Sequence, residues 1–82
     1  MEEKLIGKIT HYYGNIGVGI IELIGNLKVG DTVHIKGKST DFEQEVDSIQ
    51  IEHQPVDKAK KGDVVGIKAS QKVKEDDEVY TK

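Results

Sequence analysis

Three histidines, two groups of carboxylates, a knot of lysines and an adjacent tyrosine pair are the residues whose chemistry could make a site. His11, His34 and His53 each offer an imidazole, but their spacing follows no ligand motif. Zinc usually takes three or four ligands on a supported frame. Histidines solvated on different strands are the simpler reading, so no metal is expected. Glu43 with Glu45, and the run Glu75-Asp76-Asp77-Glu78, pair carboxylates as acid–base catalysts do. General acid–base work also needs an enclosed pocket that perturbs a pKa. The first pair falls on the polar side of a strand and the run falls in a turn, so no catalysis is expected and no cofactor is implied. Lys58, Lys60 and Lys61 cluster beside the only proline, Pro55, and could touch phosphates. Tyr12 and Tyr13 are neighbours on one strand, so one should face outward, where an aromatic can stack on a base or anchor a protein partner.

Composition narrows what could hold such groups. Eighty-two residues suffice for one domain, residues 1–82, with a modest core. There is no cysteine, so neither a disulfide nor a thiolate metal site can staple the fold. The N-terminus has no apolar signal-like run and no stretch is long enough to span a membrane, which leads to the expectation of a soluble, cytoplasmic protein. Charge is dense at 33% yet nearly balanced at −3, and every cationic side chain is lysine. Without arginine the chain lacks the planar fork that reads guanine edges, which counts against sequence-specific nucleic-acid recognition. Weak, lysine-mediated RNA contact stays open.

The positioning elements are strands. Leu27-Lys28-Val29-Gly30-Asp31-Thr32-Val33 recurs in Lys60-Lys61-Gly62-Asp63-Val64-Val65 and again in Val73-Lys74-Glu75-Asp76-Asp77-Glu78-Val79. Each reads as a tight turn that launches a strand, with Gly30, Gly62 and Asp76 at a backbone position of positive φ. Period-two alternation predicts strands over 4–13, 17–23, 32–36, 42–53, 63–69 and 78–81. Leu5, Gly7 and Ile9 are expected to face inward in the first, and Leu27 and Val29 to plug one end. In the long fourth segment the apolar set changes parity between Val46 and Ile49, which predicts a β-bulge near Asp47-Ser48. A helix over the same stretch is the competing reading, weakened by Asp47, Ser48 and the β-branched residues that follow. A helical turn at 57–60 is also open. Six short strands with no long helix predict an all-β protein, a small closed six-stranded barrel whose closure removes edge strands.

The segment from Ile6 to Leu23, then Leu27 to Asp31, then Lys61-Gly62-Asp63-Val64-Val65-Gly66-Ile67, resembles the second domain of elongation factor Tu and related translational GTPases. His11-Tyr12 and Glu52-His53-Gln54-Pro55 are similar to pieces of the C-terminal barrel modules of collagenase-like peptidases. The second resemblance implies an accessory barrel rather than a translation factor. The GTPase likeness places the charged residues of an aminoacyl-tRNA contact at Gln50 and Ser70, where both charges are absent. Gly14-Asn15-Ile16-Gly17-Val18-Gly19 has closely spaced glycines but no following Gly-Lys-Ser/Thr, so no GTP binding by this chain is expected. The expectation is a stand-alone, non-catalytic binding module for a protein or ribonucleoprotein partner, with direct tRNA or ribosomal RNA binding as the alternative. The expected contact surface comprises Tyr12, Gln50, His53, Lys58, Lys60, Lys61 and Ser70.

Overall fold

Three copies of one seven-residue device organise the molecule. The structure, a computed structural model, describes residues 3–52 and 54–81. In each copy an Asp side chain reaches back three residues to cap a backbone N–H. Asp31 Oδ2 accepts from Lys28 N at 3.1 Å, Asp63 Oδ2 from Lys60 N at 3.0 Å, and Asp77 Oδ2 from Lys74 N at 2.9 Å. The backbone N–H of the same Asp returns to the lysine carbonyl in all three. The intervening residues, Gly30, Gly62 and Asp76, have φ of +97°, +94° and +73°, as the sequence predicts. Positive φ at the third position with a first-to-fourth hydrogen bond is the geometry of a type II turn.

Each turn also clamps one core residue from elsewhere in the chain. Gly30 N–H donates to the Val46 carbonyl and Val46 N–H to the Asp31 carbonyl, both at 2.8 Å. Gly62 and Asp63 hold Leu23 in the same way at 3.0 and 2.9 Å. Asp76 and Asp77 hold Ile9 at 2.8 and 2.7 Å. The residue before each turn (Leu27, Ala59, Val73) and the second residue after it (Val33, Val65, Val79) are buried. The repeated turns thus satisfy backbone groups at the ends of the core that would otherwise be unpaired.

The chain runs β1 (Lys4–Tyr13), β2 (Val18–Leu23), β3 (Leu27–Lys28), β4 (Thr32–Lys36), β5 (Asp41–Glu45), β6 (Ile49–Ile51), β7 (Gln54–Val56), β8 (Lys58–Ala59), β9 (Val64–Lys68) and β10 (Glu78–Thr81). Eight of these form one antiparallel sheet in the order β5-β4-β10-β1-β2-β9-β6-β7, and β3 pairs with β8 in a separate ribbon. Alternation decides the inner face of β2, β4 and β9: Ile21, Leu23, Val33, Ile35, Val65 and Ile67 are each 2% exposed or less. Burying a side chain of this kind contributes roughly 1.5–3 kcal/mol.

The all-β expectation holds, but the closed six-stranded barrel does not. The hydrogen-bonded ladder ends at β5 on one side and at β7 on the other. The predicted continuous strand over 42–53 is interrupted: β5 ends at Glu45, the clamp on Val46 takes its backbone out of the ladder, and β6 starts at Ile49. That interruption, rather than a bulge at Asp47-Ser48, lets Phe42, Val46 and Ile49 all reach the core. β5 therefore pairs along its length with β4 and, among the described residues, has no strand on its other side. Its outer edge is tied by a side chain instead. Gln44 Nε2 donates to the Lys68 carbonyl at 2.8 Å, and Ser70 N–H donates to Gln44 Oε1 at 2.6 Å. At the other edge, Pro55 sits in β7, where a missing N–H is tolerated.

Register shifts occur in β1 instead, between Leu5 and Gly7 against β10 and between Ile9 and His11 against β2. They turn Ile6 inward and leave Leu5 half-buried, so Ile6 takes the core place expected for Leu5. Gly7 is needed there: a Cβ would lie 2.6 Å from Ile21 Cγ2 and 2.8 Å from the Glu22 carbonyl oxygen. Leu27 is buried as expected, but Val29 lies in the turn and is 40% exposed. The helical turn left open at 57–60 is the ribbon strand β8. Among the described residues, no helix is long and apolar enough to cross a membrane.

Candidate functional site: two adjoining grooves on the outer surface

The outer face of β1, β2, β6 and β9 carries a groove lined by residues that include Tyr13, Ile16, Val18, Ile20, Ile51 and Val64, together with Gln50 and Gly66. Tyr13 is 49% exposed, Ile16 63% and Val64 51%, the largest exposures of apolar or aromatic side chains lining it. Gln50 sits opposite Gly66 on one neighbour and Pro55 on the other, so two small or rigid partners leave its amide accessible. A Cβ at Gly66 would meet Val18 Cγ1 at 3.2 Å, and its absence keeps the groove open there. Tyr13 is braced by the His11 ring, with centroids 4.4 Å apart.

A second groove adjoins the first at Asp63. It lies between the first two launch turns and is lined by Asn26, Lys28, Asp31, Lys58, Lys60 and Asp63. Lys28 and Lys58 are direct partners in the β3–β8 ribbon.

The expected contact residues are distributed unevenly over these features. Lys58 and Lys60 meet in the second groove, whereas Lys61 is exposed on the turn without lining it. Gln50 belongs to the apolar groove. Ser70 lies past the end of β9, its N–H held by Gln44 at the β5 edge of the sheet, and lines neither groove. Tyr12 is half-buried and packs against the core; Tyr13, not Tyr12, is the outward aromatic. The Ile9/His11 register shift sets this orientation. His53 lies outside the described residues. Sequence reasoning missed Lys28, Ile16 and Val64. Val64 could have been found as an apolar residue on the solvent parity of β9.

The structure also gathers groups that the sequence keeps apart. Glu3, His34 and Glu43 each bring a potential metal-ligating atom within 4.8 Å of the others. Both His34 ring nitrogens already face carboxylates: Nδ1 is 2.7 Å from Glu3 Oε2, and Nε2 is hydrogen-bonded to Asp41 Oδ1. Two carboxylate partners are satisfied together only by a doubly protonated imidazolium. The Asp41 hydrogen bond accordingly raises the His34 pKa above its ordinary value, with Glu3 adding to it against partial desolvation. The Asp41 pKa is lowered, chiefly by His34. These contacts favour the protonated imidazole and couple the N-terminal segment to the β4–β5 hairpin.

Residues 18–80 match the family model of elongation factor Tu domain 2. An uncharacterized protease of Methanocaldococcus jannaschii is 46% identical over 76 residues, covering 92% of this chain and 19% of that protein. A collagenase of Porphyromonas gingivalis is 35% identical over 81 residues, covering 96% of this chain and 22% of that protein. The chain thus spans about a fifth of the length of these relatives. In fold it is similar to the crystal structure of the C-terminal domain of a Geobacillus thermoleovorans protein assigned to the U32 peptidases. The TM-score is 0.90 at 18% identity, over 96% of this chain and 92% of that one. With the match extending from β2 to β10, the chain belongs to the elongation factor Tu domain 2 family.

Proposed function

We propose that this chain is a non-catalytic docking module that serves a larger peptidase-type body. The observation that carries the reading is the apolar groove of Tyr13, Ile16 and Val64 on the outer face of the sheet. Exposed apolar residues scattered singly are ordinary, but a grouped set rimmed by polar residues marks an interaction surface. Its occupant in this reading is the peptidase body itself, because units similar to this chain make up about a fifth of a protease and a collagenase. Tyr13 and Val64 would enter an apolar hollow of that body, with the Gln50 amide supplying the orienting hydrogen bonds.

The test is an NMR titration of the labelled chain with the body of the Porphyromonas gingivalis collagenase produced without its own copy of the unit. The expected result is a set of amide shifts centred on Tyr13, Ile16 and Val64, abolished by Val64→Lys. Absence of binding, shifts centred elsewhere, or self-association of the chain through this face would overturn the reading. So would hydrolysis of gelatin by the purified chain alone.

A further inference from the structure

The groove between the first two launch turns holds an electrostatic conflict. Leu27 and Ala59 face the core as cross-strand partners, so alternation turns Lys28, Lys58 and Lys60 to the outer side of the ribbon. Lys28 and Lys58 are directly opposite, a placement in which Cβ atoms stand about 4.5–5.5 Å apart and like charges destabilise the pair. The two acids of the groove relieve it only in part, since three ammonium groups share the groove with two carboxylates and one positive charge is left in excess. Asp31 and Asp63 each commit Oδ2 to a backbone N–H within their own turn. Among the described residues, no carboxylate lies within ion-pairing distance of Lys28, Lys58 or Lys60. The concentration of positive charge is local, since the whole chain carries −3.

We infer that this groove is a binding site for a phosphate oxyanion, held by the ammonium groups of Lys28, Lys58 and Lys60. A bound anion converts the repulsion of the Lys28–Lys58 pair into shared attraction and balances the positive charge that Asp31 and Asp63 leave uncompensated. Ammonium groups on flexible stems act as point charges and suit the several acceptor oxygens of a tetrahedral phosphate. A planar carboxylate offers fewer acceptor directions to three ammonium donors. The phosphate can belong to a free small molecule or to the backbone of an RNA strand. The site is independent of the apolar groove and of its proposed occupant.

The experiment titrates the labelled chain at low salt with pyrophosphate and, separately, with a short oligouridylate. Amide shifts should centre on Lys28, Lys58 and Lys60 and disappear in Lys58→Glu, while Lys61→Glu should weaken binding far less. If three phosphates of the oligonucleotide are contacted, its affinity should fall about 20-fold between 50 and 200 mM salt. Binding of pyrophosphate alone would identify a small phosphate as the ligand; binding of both would identify a nucleic-acid backbone. Because Lys58→Glu faces Lys28, it should also raise the melting temperature by about 2–5 °C, which separates loss of the site from loss of the fold. Unchanged binding in Lys58→Glu, a lowered melting temperature, shifts away from the groove, or tighter binding of a polyglutamate peptide than of pyrophosphate would each overturn the assignment.

Discussion

Gly37 packs its bare Cα against the carboxylate of Asp77, joining the β4–β5 hairpin to the third launch turn. A Cβ at Gly37 would fall inside the van der Waals envelope of Asp77 Oδ1, with Asp77 Cγ only 2.7 Å away. The carboxylate cannot yield without loss, because it is buried at 4% exposure and its other oxygen caps Lys74 N–H. Gly37→Ala should therefore destabilise the protein by about 1–3 kcal/mol, as overpacking does. Urea unfolding checks this, and Asp77→Ala in the same background should recover part of the loss, since the two residues are coupled.

The three launch turns allow a comparison within one molecule. A Cβ at Gly30 or Gly62 would meet nothing within 4 Å, so alanine there is opposed only by backbone strain at φ +97° and +94°. Each Gly→Ala substitution should cost about 1–2 kcal/mol. Asp76 already bears that strain at φ +73°, and its ion pair with Lys8, 3.7 Å long and largely exposed, offsets little. Asp76→Gly should accordingly stabilise the protein by up to ~1 kcal/mol, read as a higher urea midpoint at unchanged slope. A lower midpoint would show that the Lys8 contact outweighs the strain.

His34 gives stability a defined pH dependence. Its folded pKa is raised above 6.5, so the contribution is complete below that unfolded value and is lost as pH rises through the raised one. The Asp41 pKa is lowered from 3.8, so its contribution is present above that value and is lost as pH falls through the lowered one. Both contributions coexist between the two folded pKa values. Following the His34 ring protons by NMR should give a pKa above 6.5 that returns toward it in Asp41→Asn. The stability lost between pH 6 and pH 9 should be smaller in His34→Gln than in the wild type.

At the β5 edge of the sheet, one side chain does the work of a ladder. Gln44 accepts from Ser70 N–H and donates to the Lys68 carbonyl. Gln44→Ala should cost about 1–2 kcal/mol and speed hydrogen exchange at Ser70. Gln44→Glu should keep the acceptor for Ser70 but place a second acceptor against Lys68, and so fall between the wild type and alanine. Equal exchange at Ser70 in all three proteins would show that the bridge is dispensable.

The sequence by itself determined the strands with clean alternation and the three launch turns. Val33 and Ile35, Ile21 and Leu23, and Val65 and Ile67 alternate with exposed or half-buried neighbours, so period two sufficed to place them. Gly30, Gly62 and Asp76 were legible because few residue types tolerate positive φ, a local property of the backbone. Lys58, Lys60 and Gln50 could be named as surface residues, but not what stands beside them. Only tertiary structure decided that each turn clamps Val46, Leu23 or Ile9, because those bonds join residues far apart in the chain and use backbone groups that carry no side-chain signature. The same clamp at Val46 interrupts the strand that would have closed a barrel, and shifts of register in β1 turn Ile6 inward and Tyr13 outward. A register shift of one residue reverses every side chain beyond it, and no local pattern reports that choice. Lys28 likewise joined Lys58 only through the pairing of two-residue strands too short for any periodicity to mark.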